Sequence, residues 1–412
     1  MHLKFDVRFD TIKPKGVLMR LKTFPGGVHP PDEKKYSASV PIVDVPIPQK
    51  VTIDLSQHIG SPSKPIVSVG DEVLTGQKIA ESTGFVSLNQ HSSISGKVTA
   101  IGNFANATGS NSMAIQITGD GLDKWIELTD EPNFIDLPLE EMKKRIGEAG
   151  ICGMGGAGFP TLVKLSPPDD KPIDTVILNG VECEPYLTSD HRLMLEKTAE
   201  IVLGMKLIMK ILGAQKGMIG IEANKPDAIA KMQEITKNEP AIEVVPLQLR
   251  YPQGAEKQLI YAATKRKVPA GGLPMAVGVV VQNVATAFAI YEAIRYQKPL
   301  VQRVITVTGS PVVSPKNIMA RIGTPLSELI EFCGGTSEEV GKVICGGPMM
   351  GFALPSLEAT IGKGSGGLVL LNKKAASLNE EGNCLRCARC VDVCPMNLVP
   401  CMIVSAIKYN NL

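Results

Sequence analysis

Apolar and polar positions follow three different rhythms along the chain. Between 41 and 130, runs such as "VTIDLSQHIG", "GFVSLNQHSSISGKVTAIG" and "MAIQITGDG" alternate apolar and polar residues. A period of two marks a strand with one buried face. Gly70-Asp71 and Ser95-Gly96 punctuate these runs as turns, so a small all-β domain is predicted. From 131 the rhythm changes. "PLEEMKKRIGEAGI" is helical and opens on acidic residues, which suit the positive end of a helix dipole. "SDHRLMLEKTAEIVLGMKLIMKIL" spaces its apolar residues three and four apart, predicting one helix with Ser189 or Asp190 as cap. "IDTVILNG", "KGMIGIEAN" and "AIEVVPL" read as buried strands, and "PDAIAKMQEIT" and "GAEKQLIYAAT" as helices between and after them. Such alternation over 131–300 predicts a mostly parallel sheet with helices on both faces. Residues 301–375 return to short strands around one helix, capped near Thr324 and Pro325, as a small α+β module. In the first 40 residues "FPGGVHPPDEKKYS" is too rich in proline and glycine for a helix and predicts an extended loop. Residues 376–412 form a separate tail.

Composition narrows the function classes. A chain of 412 residues is too long for one compact core. A net charge of +2, 4% aromatic residues and a single tryptophan, Trp125, argue against nucleic acid as a partner. No uncharged apolar run reaches membrane-spanning length; the nearest, from Ile201, is broken by Lys206, Lys210 and Lys216. The opening "MHLKFDVRFD" is a strand pattern and not a secretory signal. Nine cysteines, four of them in one motif, suit a reducing compartment rather than a disulfide framework.

That motif is "CLRCARCVDVCP". Cys384, Cys387, Cys390 and Cys394 have the spacing C-x2-C-x2-C-x3-C-P. Thiolates this dense converge on the irons of a 4Fe–4S cluster. Structural zinc is the alternative, though zinc sites separate their two ligand pairs by a longer segment. Cys401 is a further candidate ligand; Cys333 and Cys345 read as buried thiols, and Cys152 and Cys183 as pocket-lining ones.

A second signal is "GICGMGGAGFPTLVKL", with Gly153, Gly155, Gly156 and Gly158. Glycines let backbone N–H groups approach a phosphate. The spacing is neither the dinucleotide fingerprint nor a Walker loop, and a plain structural turn is the alternative. Downstream, "NGVECEPY" places Glu182 and Glu184 just past a strand, at the edge where open α/β sheets bind ligands.

Together these residues resemble a known family. The glycine loop with Phe159, Pro160 and Lys164, followed by Asn179 and Glu182-Cys183-Glu184-Pro185, is similar to the flavin- and NADH-binding subunit of respiratory complex I. The order of "GGVHPP", "GMGGAGFPTLVKL" and the cysteine run resembles still more the C subunit of the Rnf complex, a membrane-bound, ion-translocating ferredoxin:NAD oxidoreductase.

The resemblance implies a multidomain α/β chain. Residues 1–40 would be an N-terminal extended segment and 41–130 a barrel-sandwich hybrid. Residues 131–300 would be a Rossmann-like FMN- and NADH-binding domain, 301–375 a β-grasp module and 376–412 a helical, ferredoxin-like iron–sulfur segment. Flavin contacts would fall on Gly153, Gly155, Gly156, Gly158, Lys164, Asn179, Asn283 and Thr286, with Glu182 also in the cofactor site and Phe159 and Glu184 facing the nicotinamide. Tyr251, Gly254 and Glu256 match a Gly-Glu-Glu motif of complex I, although Ala255 replaces its middle acid and Met154 the arginine of its glycine loop. Lys97 follows Gly96 but lacks the setting of an acylated carrier lysine and reads as structural.

The resemblance further implies NAD(H) as substrate. Partners would be membrane-embedded subunits and a ferredoxin-like subunit. The place would be a peripheral one on the cytoplasmic face of a bacterial membrane. A soluble electron-transfer adaptor for an amino-acid or cobalamin reductase is the alternative; a β-grasp scaffold with a vestigial site is a weaker one. In two-cluster folds each run lends its last cysteine to the other cluster. A single run ending at Pro395 therefore predicts a longer subunit with two clusters, in which Cys394 serves the second.

Overall fold

The computed structural model describes residues 11–12, 19–378 and 382–409. The opening "MHLKFDVRFD" lies outside the described residues. At the centre is a four-stranded parallel sheet in the order Ile242–Leu247, Lys216–Glu222, Thr175–Asn179, Val279–Asn283. Helices α1 (Leu139–Glu148) and α2 (Thr161–Lys164) precede the first strand. Then follow α3 (Ser189–Glu196), α4 (Thr198–Leu212), α5 (Pro226–Ile235), α6 (Glu256–Thr264) and α7 (Val284–Tyr296). Successive strand residues serve opposite faces. Val176 and Leu178 join the core made with α4, α5 and α7, while Ile177 joins a second core beneath α6. Both faces are covered, which is why these strands read as continuous apolar runs. The α4–α7 crossing is close enough to need Gly204, where a methyl group would lie 2.0 Å from the Ala287 carbonyl.

The predicted single helix from Ser189 is two, broken at Lys197 (φ −127°). Neither Ser189 nor Asp190 caps it. The orphan N–H groups of Asp190 and His191 donate instead to the Glu182 carboxylate, at 2.7 and 3.3 Å.

The β-rich part between 50 and 119 contains a four-stranded antiparallel sheet, with strands Lys50–Asp54, Glu72–Val73, Gly96–Ala105 and Asn111–Gly119. A second, three-stranded sheet holds Lys64–Pro65, Lys78–Glu81 and Gln90–His91. The predicted α+β module is a six-stranded mixed sheet with helix α8 (Leu326–Phe332). One of its edge strands is Ile42–Asp44, which pairs parallel with Lys316–Arg321. Helix α9 (Lys373–Ala376) follows the last strand of that sheet, and in the tail lie α10 (Arg389–Asp392) and α11 (Pro400–Lys408).

Over its described residues 19–40 the N-terminal segment is extended as expected, apart from one 3-10 turn at Lys34–Tyr36. It is packed along the central domain. Lys22 bridges Leu247, Val28 bridges Tyr251, and the Phe24 ring is 2% exposed. On its other side Gly27 donates its N–H to the Val393 carbonyl at 2.7 Å, so the glycines of "GGVHPP" seat the cysteine tail.

Candidate flavin and nicotinamide site

Strand order carries the first argument. In chain order the strands are arranged 3-2-1-4, so connections leave in opposite directions on either side of the first and fourth. The crevice beyond the C-terminal ends of those two strands is the topological switch point, where open α/β sheets bind ligands. Asn179 and Asn283 are the last residues of these strands and stand opposite each other in register. Asn179 donates to the Gly254 carbonyl at 2.8 Å. Asn283 caps α7 by accepting from the Ala285 N–H at 2.8 Å, and donates to Asp190 at 2.6 Å.

The glycine loop joins α1 to α2 and lies over this crevice. The Met154 N–H donates to Thr286 Oγ1 at 3.0 Å, tying the loop to the first turn of α7. Gly155 must be glycine, because a methyl group there would lie 2.6 Å from Asn283 Nδ2. Gly156 faces open space, with nothing within 4 Å of such a methyl group. Gly158 sits at φ +67° and accepts from the Ile59 N–H at 3.3 Å, so the β-rich domain props the loop from behind. Gly153 closes the turn by donating to the Phe159 carbonyl at 2.9 Å, and Phe159 itself is half-buried. The result is an open glycine cradle over two asparagine-ended strands, which suits a phosphate-bearing flavin.

Two residues expected at the cofactor are each other's partners. Lys164 donates to Glu256 at 2.7 Å and to the Val281 carbonyl at 2.9 Å. Gly254 packs so closely on Cys183 that a methyl group would lie 3.2 Å from its sulfur. Burial, with help from Glu222, pushes the Cys183 thiol up to about 12. Burial likewise lifts the Tyr251 phenol to about 12, with Glu184 adding to it. Both oxygens of Glu182 serve the start of α3, so its carboxylate acts as a helix cap.

Glu184 lies on the rim. Its Oε2 accepts from the Met349 N–H at 3.0 Å, while Oε1 is buried and has no hydrogen-bond partner in the structure. Burial raises the carboxyl above its ordinary value, and the Met349 and Met350 amides pull it back.

Sequence reasoning missed the lysines that build this site. Lys34, 6% exposed, donates to the carbonyls of Glu182, Glu184 and Leu187 at 2.9, 3.0 and 2.5 Å. Lys225 is fully buried, donating to the Val181 carbonyl at 2.7 Å beside Glu222. Lys363 reaches the Asn89 and Gly150 carbonyls at 3.0 and 2.7 Å, and burial lowers its ammonium to about 8. Asp190, under the loop, is raised to about 7 by burial and by Glu182.

The cysteine run behaves differently. Cys384 and Cys387 are exposed, Cys390, Cys394 and Cys401 half-buried, and all are free thiols. The donor chemistry fits an iron–sulfur cluster. Yet among the described residues no three His, Cys, Asp or Glu side chains gather into a group that could hold a metal ion. The Cys394 sulfur accepts from the Leu398 N–H at 3.4 Å. Cys333 and Cys345 are buried and Cys183 lines a cleft with Lys34 and Glu222, as expected, whereas Cys152, expected to line a pocket, is fully buried. Lys97 is exposed on its strand.

An open parallel sheet with a glycine cradle over its switch point defines a flavin- or nucleotide-binding α/β protein. Family models divide the chain accordingly: the Nuo51 FMN-binding domain matches residues 146–292, the RnfC barrel sandwich hybrid domain 22–122 and the SLBB domain 304–353. The chain is 51% identical over 384 residues to the C subunit of the proton-translocating ferredoxin:NAD(+) oxidoreductase complex of Clostridium ljungdahlii, covering 93% of this chain and 84% of that one. It is 46% identical over 390 residues to the Na(+)-translocating counterpart of Acetobacterium woodii, covering 94% and 88%. An air-oxidized NAD+-reducing NiFe hydrogenase shares the fold at a TM-score of 0.50 and 21% identity, over 59% of this chain and 48% of that one. The chain belongs to the family of C subunits of ion-translocating ferredoxin:NAD(+) oxidoreductase complexes.

Proposed function

We propose that this chain is the peripheral NAD(H)-oxidising or -reducing subunit of a membrane-bound ferredoxin:NAD oxidoreductase that couples electron transfer to ion translocation. The observation that carries the reading is the glycine cradle at the switch point, inside the segment that matches the FMN-binding family. Bound FMN supplies conversion between the two-electron hydride chemistry of NADH and single-electron transfer. The chain's own residues do the holding. The loop 153–158 would cradle the phosphate, with the Gly153 and Met154 N–H groups spent on holding its shape and Asn179, Asn283 and Thr286 fixing the floor beneath it. Lys164 and Glu256 form a charged pair at the wall, and Tyr251 and Gly254 hold the loop facing it. Phe159 and Glu184 are assigned to the nicotinamide side.

The run Cys384, Cys387, Cys390 and Cys394 is assigned to 4Fe–4S ligation on its spacing. Its contact with Gly27, in the segment packed along the central domain, supports a cluster close to the flavin. Among the described residues no helix is long and apolar enough to cross a membrane. Attachment is therefore assigned to partners: the membrane-embedded subunits and a ferredoxin-like subunit, on the cytoplasmic face. The test is release from membranes. High salt without detergent should free the protein, and anaerobic pull-down before that step should retain membrane-embedded partners. Release by detergent alone, or no such partners, would overturn this placement.

A further inference from the structure

Glu184 belongs to the central domain, yet its environment is made by the β-grasp sheet. The loop Gly346-Gly347-Pro348-Met349-Met350-Gly351 runs directly over it. Met349 donates its N–H to Oε2 at 3.0 Å. A methyl group at Gly347 would lie 2.1 Å from that oxygen, 2.5 Å from Cδ and 2.7 Å from Cβ of Glu184. The carboxylate therefore occupies its position only because residue 347 has no side chain.

The loop is also a built turn. Gly346, at φ +98°, donates to the Gly367 carbonyl at 2.7 Å, and Gly351 donates to the Gly347 carbonyl at 2.8 Å. With Oε2 occupied, Oε1 is the acceptor left, buried and unpartnered. A buried acceptor in that state is costly unless a ligand supplies the donor. Met350 is 75% exposed on the outer side of the loop, giving the rim a soft apolar surface.

We propose that this β-grasp loop is one wall of the nicotinamide site. Gly347 is a positioning residue that fixes Glu184 so that Oε1 accepts an N–H or O–H of the dinucleotide. The inference rests on the reading that Glu184 contacts NAD(H). It makes the β-grasp module part of the site and not a spacer.

The test is a double-mutant cycle on the FMN-loaded subunit, assayed with NADH and an artificial electron acceptor. Gly347→Ala should raise KM for NADH about tenfold, the scale of a lost hydrogen bond to a charged group, with kcat within about twofold and FMN content unchanged. Glu184→Gln should raise KM similarly, and adding Gly347→Ala to it should change little, because both act through one carboxylate. An unchanged KM in Gly347→Ala, while Glu184→Gln raises it, overturns the wall and leaves the Glu184 assignment standing. An unchanged KM in Glu184→Gln overturns the underlying assignment and the inference with it. Hydrogen exchange on the wild-type protein gives a readout free of folding effects. NAD+ should slow exchange at the amides of 346–351, and no slowing there overturns the proposal.

Discussion

Lys34→Met is the perturbation that best separates the construction of this site from its chemistry. Methionine keeps much of the lysine's length and is apolar, so packing changes little at a side chain 6% exposed. What disappears is one ammonium that donates to three carbonyls of the 182–187 turn. Each buried carbonyl left without a donor costs about 1–3 kcal/mol. The loss is offset in part, because burial and the nearby Lys225 already lower the Lys34 pKa, so its charged form is held at a cost. Partial hydration of the loosened turn offsets more. A net penalty of about 3 kcal/mol remains, at the low end of what breaking a buried charged contact costs.

The domain itself is held by two large cores and should stay folded, so the penalty should appear as local opening. At 1.4 kcal/mol per tenfold, amides of Tyr186, Asp190 and His191 should exchange about 100-fold faster. In the wild type these donate to the Asp32 carbonyl and to Glu182. KM for NADH should rise with them, since Glu184 sits in the same turn. Exchange within about threefold of wild type would refute the argument that Lys34 holds the turn.

Asp190→Asn tests the raised carboxyl. A folded-state value of about 7 against an ordinary one near 4 means the native protein binds the extra proton between them, so stability falls as pH rises from about 4 to about 7 and is flat above. The variant should lose that part of the slope in denaturant titrations across this range, and an identical slope would contradict it. Gly26→Val tests the seat of the tail. Its side chain would meet the Val393 carbonyl at 2.8 Å on a backbone at φ +83°. Proteolysis within 382–400 should therefore accelerate while FMN content stays constant; an unchanged cleavage rate would show that the tail does not depend on this contact.

Local patterns carried much of the fold. The first three parallel strands, α5 and α6 were legible because period and punctuation agreed, as with Pro226 opening α5, whereas the strand Val279–Asn283 and α7 were not read from the sequence. The break at Lys197 was not, since both sides keep the helical spacing. The glycine loop and the two asparagines were visible as motifs, but their meeting at the switch point depends on strand order, which no local pattern encodes. Lys34 was hidden for a different reason. It sits in "DEKK", which reads as a solvated charge run, and only the tertiary approach of three carbonyls makes it a buried tether. Ile42–Asp44 precedes the strands of the four-stranded sheet in sequence yet completes the β-grasp sheet, a long-range pairing that alternation cannot assign.

The central claim is that FMN sits in the glycine cradle and exchanges hydride with NADH there. The most direct measurement is anaerobic FMN reconstitution of the wild-type protein and of Gly156→Val, each followed by addition of NADH. At Gly156 an added Cβ meets no protein atom within 4 Å, so the variant should fold and melt like the wild type while filling the phosphate space. The account predicts about one FMN per wild-type chain, with its visible absorbance bleached by NADH, and little or no flavin on the folded variant. Stoichiometric flavin on Gly156→Val, or a flavin on the wild type that NADH leaves oxidised, would contradict it.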